Sequence, residues 1–319
     1  VIWLKSQITN RKSQMTMSER FFVRVPATCA NLGCLFDCGA LALGLYLDLY
    51  VSPRDDSEVS VHYHGANPER VASDSSNLVA RVMTETLESW GKKRGFDIEI
   101  HNQIPVGVGL GSSAAAIVGA LVACHWLVNR PLSGEELLTL ANQREGHPDN
   151  VAAAWHGGFT MAVCEGERVI AYSCPVPTDL KLVLVVPNYA LATKQARAVL
   201  PDQYSRADAI HNLQRGAILA AQFFSGKPDL RPEFFEDRWH QPYRAPLAPG
   251  LAEVLGIRDP ELLGICLSGA GPSILAFVRA GAANLGEHIG RILSQHGIES
   301  YPCFPAADNR GAKGWILLE

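Results

Sequence analysis

The chain has 319 residues and a formal net charge of −4, enough at ~150 residues per domain for one large or two medium domains. Such weak acidity argues against a general nucleic-acid binder, which needs a basic surplus, yet leaves room for a small anion in a pocket. Charged residues make up only 19%, and 28 glycines are an excess whose placement matters.

The first 20 residues are mixed and polar, without the apolar stretch of a signal peptide. They are expected to form a disordered tail or a non-native extension. Strands are expected at 21–28 and, from the alternation of Leu45, Leu47 and Leu49, at 40–51. A helix is expected over 77–90 and a strand over 96–105. Residues 112–127 read as an apolar helix. The stretch 114–128 is too short to span ~30 Å of hydrocarbon, so a buried helix and a cytoplasmic location are expected. Ser133 and Glu136 have capping-box spacing for another helix. Strands follow at 159–164, 168–176 and 180–187, then a helical middle over 192–245. Strands at 261–268 and 272–278, a helix at 284–296 and a strand at 314–319 complete an α+β chain. The expected division is 1–20, 21–165 and 166–319. The eight cysteines form no CxxC pair; buried reduced thiols are expected rather than a metal or redox centre.

PVGVGLGSSAA (105–115) lies between a strand and a helix. Its alternating glycines let backbone N–H groups approach an anion, and the helix start adds free N–H groups and a positive dipole end. This is a phosphate cradle. It has no Lys for a Walker A loop, and the spacing around it fits a dinucleotide-binding Rossmann loop poorly. In EGHPDNVAAAWHGG (145–158), Glu145, His147, Asp149 and Asn150 could serve as metal ligand, proton acceptor or hydroxyl positioner. Pro148 favours a turn just before Asp149, and Asp149 or Asn150 could equally cap the following helix; His156 reads as structural. PATCANLGCLFD (26–37) packs Asn31, Gly33 and Asp37 into a turn, and LSGAG (267–271) is a second glycine turn. Arg197 and Arg244 could each bind a carboxylate bidentately.

Together the windows PATCANLGCLFDCGALAL, PVGVGLGSSAAAIVGA, EGHPDN, HQPYRAPLAPG and LSGAGPSILAF resemble the GHMP small-molecule kinase superfamily, in its homoserine-kinase branch, from about Phe21 onward. The resemblance implies a ribosomal-S5-like N-terminal domain, a ferredoxin-like C-terminal domain, and ATP-dependent phosphorylation of L-homoserine for threonine synthesis. It implies that Pro105, Val106, Gly107, Val108, Gly109, Leu110, Gly111, Ser112, Ser113, Ala114 and Ala115 cradle ATP, and that Asn77 touches the adenine. Ser113 and Glu145 would hold Mg²⁺. Asn31, Asp37, His147, Asn150, Thr193, Arg197 and Arg244 would surround homoserine, with Asp37 on its ammonium and the arginines on its carboxylate. Asn150 stands where relatives place a catalytic Asp and cannot take a proton, so it would position the hydroxyl. A homodimer is implied, with no nucleic-acid or membrane partner. Cys34-Leu35 replaces the family's common Pro-Gly and is expected to reshape the substrate side of that loop; Ser273 replaces a frequent Thr. The alternatives are a kinase for another small alcohol such as mevalonate, a silent sensor on the same fold, and a Rossmann dehydrogenase.

Overall fold

The computed structural model describes residues 19–279 and 283–317. The expected tail lies outside them, except that Arg20 already opens the first strand. Strands β1 (Arg20–Asn31) and β2 (Leu35–Pro53) form a long antiparallel ladder. Strand β3 (Val59–Gly65), helix α1 (Leu78–Ser89) and strand β4 (Phe96–Asn102) follow. β3 and β4 run parallel, which requires the crossover that α1 supplies. Asn77 caps α1, its Oδ1 accepting the Val79 N–H at 2.9 Å.

Helix α2 (Ser112–Leu127) is buried along nearly its whole length and packs on β1 and α1. It has no polar face, as a central core helix needs none. Helix α3 (Gly134–Glu145) is capped by Ser133, whose Oγ accepts the Glu136 N–H at 3.0 Å. The Glu136 side chain meets Arg130 at 3.0 Å, so half of the expected box forms. Helix α4 (Pro148–His156) corrects two expectations. Pro148 opens it, since the first helical position needs no N–H. His147, not Asp149 or Asn150, is the cap residue, and its side chain makes no capping bond.

Strands β5 (Phe159–Glu165) and β6 (Arg168–Cys174) form a hairpin that joins β2 through β5. The second half contains β7 (Lys181–Pro187), α5 (Thr193–Ala198), α6 (Arg206–Phe224), α7 (Gln241–Arg244), α8 (Leu251–Leu255), β8 (Leu262–Leu267), β9 (Ile274–Val278), α9 (Ala283–Gln295), β10 (Ser300–Cys303) and β11 (Lys313–Leu317). Its antiparallel sheet has the order β10-β7-β9-β8. The period-two rule shows in β7. Val183 and Val185 face a core with α8 and α9, while Leu182, Leu184 and Val186 join the larger core.

The first sheet runs β11-β1-β2-β4-β3, with β5 and β6 attached. The boundary expected between 165 and 166 therefore falls inside the β5–β6 hairpin. The chain changes sheet after Cys174, and β11 returns to cover the edge of β1. All eight cysteines are free; seven are buried or half-buried, and Cys164 is exposed, contrary to expectation. Among the described residues no helix is long and apolar enough to cross a membrane.

Candidate active site

A cavity of about 510 Å³ is bounded by the 106–113 loop, the start of α4, the 268–271 turn and residues of β3 and β4. Gly107, Gly109 and Gly111 all have left-handed φ, at +78°, +81° and +67°; a side chain there would be strained. The loop's carbonyls are tied off from outside. Val106 O accepts from Arg70 Nη1 at 3.0 Å. The N–H groups of Leu191, Ser273 and Thr28 donate to Gly107 O, Val108 O and Leu110 O at 2.9, 3.2 and 3.1 Å. Ser268 Oγ donates to Gly109 O at 2.7 Å. Among the described residues, none of the N–H groups from Gly107 to Ala114 meets a backbone acceptor. Gly111 caps α2 and supplies no side-chain oxygen. The donors of loop and helix start are thus left for an anion.

At the mouth of α2, Ser113 Oγ donates to Glu145 Oε2 at 2.7 Å. Burial raises the Glu145 pKa, opposed by the His147 charge and the Ser113 bond. Burial would lower the His147 pKa, yet the hydrogen bond and charge of Asp149, helped by Glu145, outweigh it and raise it. His147 Nδ1 lies 2.8 Å from Asp149 Oδ1. That oxygen also accepts the Asn150 N–H at 2.7 Å, so it is heavily engaged before any substrate proton arrives. Thr28 Oγ1 donates to Asn150 Oδ1 at 2.6 Å, fixing the amide from the opposite strand.

The arginines line the same cavity. Arg197 and Asp37 form a two-bond pair, Nη1–Oδ2 2.9 Å and Nη2–Oδ1 2.6 Å. As they stand, the two neutralise each other rather than presenting separate charges. Arg244 is 1% exposed. Its Nε donates to Ala196 O at 3.1 Å, and its Nη1 donates to Gly269 O at 2.9 Å and lies 3.1 Å from His240 Nδ1. Among the described residues it has no carboxylate partner within salt-bridge distance. Burial, with Arg197 nearby, pushes its pKa down to about 10, so it stays cationic at neutral pH. The Phe36 ring is within cation–π reach of both guanidiniums, 5.6 Å from Arg197 and 5.3 Å from Arg244.

Residues 77–158 match the family model described as the GHMP kinases N terminal domain. The chain is 40% identical to a homoserine kinase of Solibacter usitatus, over 89% of this chain and 94% of the relative. The chain belongs to the homoserine kinase family. A homoserine kinase of Deinococcus radiodurans is also 40% identical, over 87% of this chain and 91% of its own length. The crystal structure of the homoserine kinase from Cytophaga hutchinsonii superposes with a TM-score of 0.83 at 27% identity, covering 96% of this chain and all of that one. Mevalonate diphosphate decarboxylase of Staphylococcus aureus, at TM-score 0.65 and 16% identity, covers 93% of this chain and 98% of its own, and shows the shared fold alone.

One cleft gathers most of the expected residues. Asn31, Asp37, Asn77, Ser112, Ser113, Glu145, His147, Asn150, Thr193, Arg197 and Arg244 all line it, with Val106, Gly107, Gly109, Leu110 and Gly111. Pro105, Val108, Ala114 and Ala115 do not. The side chains of Val108, Ala114 and Ala115 are buried in the core, so any part these three take runs through the backbone. Cys34 and Leu35 are also buried off the cavity wall. Cys34 Sγ donates to Phe234 O at 3.1 Å, and Leu35 packs on Gly39 and Gly216; the core absorbs the change expected to alter the substrate side. Ser273 is buried as well, and its N–H holds the Val108 carbonyl. Sequence reasoning missed Thr28, and also Tyr63 and Asn102, which line the cavity and bond each other at 2.9 Å.

Proposed function

We infer that this homoserine kinase family member transfers the γ-phosphoryl group of ATP to the side-chain hydroxyl of L-homoserine, giving O-phospho-L-homoserine for threonine synthesis. The observation that carries the reading is one cavity whose wall combines two chemically distinct sets of groups. One set is the unengaged N–H groups of the glycine loop and a helix start. The other is a buried Arg244, without a carboxylate partner among the described residues, and the Asp37–Arg197 pair. A zwitterion can exchange with that pair, its ammonium on Asp37 and its carboxylate on the two guanidiniums.

Ser113 and Glu145 offer two hard oxygens in contact, one from a buried carboxyl that gains from a cation beside it. This donor set suits Mg²⁺, which takes one or two carboxylates and completes its shell with water and phosphate oxygens. Bound there, Mg²⁺ would neutralise charge on the phosphates. His147, whose pKa Asp149 raises against the effect of burial, adds positive charge nearby in its protonated form. Asn150, locked by Thr28, orients the hydroxyl. Asp149 Oδ1 is already engaged by His147 and the Asn150 N–H, so the proton leaves for phosphate or water. A loose phosphoryl-transfer transition state asks mainly for positioning and charge neutralisation, so a missing base is tolerable. In this reading the homodimer rests on the resemblance, and the cytoplasmic location on the sequence expectation alone.

The test is an ADP-release assay over L-homoserine, mevalonate, galactose and shikimate, repeated with Arg244→Ala. Turnover with homoserine above the others, lost in the variant, is expected. Equal turnover across the panel, or amino-acid phosphorylation intact in Arg244→Ala, would sink the substrate assignment.

A further inference from the structure

We propose that the face of β3 and β4 turned away from the cavity carries a second metal site, for a divalent first-row transition ion of the zinc class. It is held by His64, Glu99 and His101, whose ligand atoms lie within 4.8 Å of one another. The parallel register sets His64 directly beside His101 and His62 directly beside Glu99. Glu99 and His101 are two apart in β4, so they share a face. Tyr63 and Asn102, next in sequence, point to the opposite face and line the catalytic cavity. The imidazoles of His64 and His101 stand 5.1 Å apart, tilted by 35°.

The carboxylate is already divided between two jobs. Its Oε1 is 2.7 Å from His101 Nε2, and its Oε2 pairs with Arg20. An ion replacing the proton between His101 and Glu99 needs that separation to open to about 3.3 Å, the tetrahedral edge for ~2.0 Å bonds. Arg20 can stay on Oε2 as an outer partner that orients the carboxylate. Two imidazoles and one carboxylate favour a zinc-like ion over Mg²⁺, which prefers oxygen. The site is therefore chemically separate from the Ser113–Glu145 pair. His62, exposed and beside Glu99 in the register, stands outside this group, with its Nε2 3.2 Å from Ser60 Oγ, so water completes the shell.

The experiment titrates tag-free, chelator-stripped full-length protein with Zn²⁺ by calorimetry and with Co²⁺ by visible absorption, in saturating Mg²⁺. One ion per chain and the intense band of four-coordinate Co²⁺ are expected. His64→Ala and His101→Ala should each weaken binding roughly tenfold or more, the lower bound seen when even outer partners of a metal are removed. Both variants should keep the metal-free thermal melt and basal turnover, which separates ligand loss from misfolding. Glu145→Gln and Cys164→Ser should keep the site. No saturable binding, or binding that survives the histidine changes or is lost in either control variant, would overturn the proposal.

Discussion

Thr28→Val removes one hydroxyl and little else. Thr28 is fully buried, and its Oγ1 donates to Asn150 Oδ1 at 2.6 Å. The hydroxyl is wedged against the start of α2, because a Cβ on Gly111 would overlap it. Valine fills the same space but leaves the Asn150 oxygen without that donor. Asn150 is only 7% exposed, so water replaces the bond poorly. An orphaned buried acceptor costs about 1–3 kcal/mol, and at ~2–4 °C per kcal/mol the melt should fall by about 2–12 °C. Activity should fall further than that suggests. A shift of about 1 Å in a positioning group can cost on the order of 10²-fold, so kcat should drop roughly ten- to a hundredfold. KM for ATP, held by other groups, should move by less than about threefold. Thr28→Ser should restore most of both. Because Thr28 acts through Asn150, Thr28→Val should have no further effect on kcat in an Asn150→Ala background. Steady-state ADP release on the four variants measures this. Independent, multiplying effects in the double variant would refute the coupling.

Two further outcomes follow from the same geometry. Glu145→Gln should lose Mg²⁺-dependent kcat by on the order of 10²-fold or more while melting higher at neutral pH. Burial raises the Glu145 pKa in the fold. Its destabilising effect is therefore absent below the ordinary carboxylate range and grows as pH rises through the raised value. The melting advantage of the variant should shrink toward acid pH, and an unchanged kcat would remove the metal role. Gly109→Ala meets the Ser268 carbonyl at a φ of +81°, so it should destabilise by about 1–3 kcal/mol and raise KM for ATP. Gly146→Ala, at a φ of +86° with nothing within 4 Å, should cost only about 1 kcal/mol in denaturant titration; equal costs at both sites would contradict the packing argument.

What the sequence made legible were features whose chemistry is local. The glycines of 107–111 announce a backbone open to an anion by their identity, and Ser133 announces a cap. Helix α2 has no amphipathic period, but its length and lack of charge still betray a buried helix. The cryptic parts depend on distant pairing. Thr28 and Asn150 are 122 positions apart, and Thr28 alone is only a strand residue. β3 went unseen because VSVHYHG mixes buried and exposed positions without a strong apolar run. The position near 165 falls within a hairpin for a related reason: which sheet a hairpin joins is decided by the strand beside it, and β5 finds β2 at Gly39–Leu41. Arg244 was visible as a candidate but not as a buried one, since arginine is usually exposed.

Burial also decides which cation sets selectivity. A carboxylate ligand without an ammonium could draw Arg197 off Asp37 and leave that acid unpaired. The Asp37 side chain is about a third exposed, however, at 33%. Water can screen it, and the penalty falls toward the ~1 kcal/mol scale of surface pairs rather than the 3–5 kcal/mol of a broken buried one. That supports discrimination of only about tenfold. Arg244 stands at the other limit. Nearly fully buried and held by two carbonyls and His240, it cannot relax into solvent when its anion is missing. A ligand lacking a carboxylate leaves it uncompensated at the full buried cost, which corresponds to a discrimination of roughly 10²-fold or more. On the proposed reading, selection for the carboxylate would thus rest on Arg244, and selection for the ammonium more weakly on Asp37.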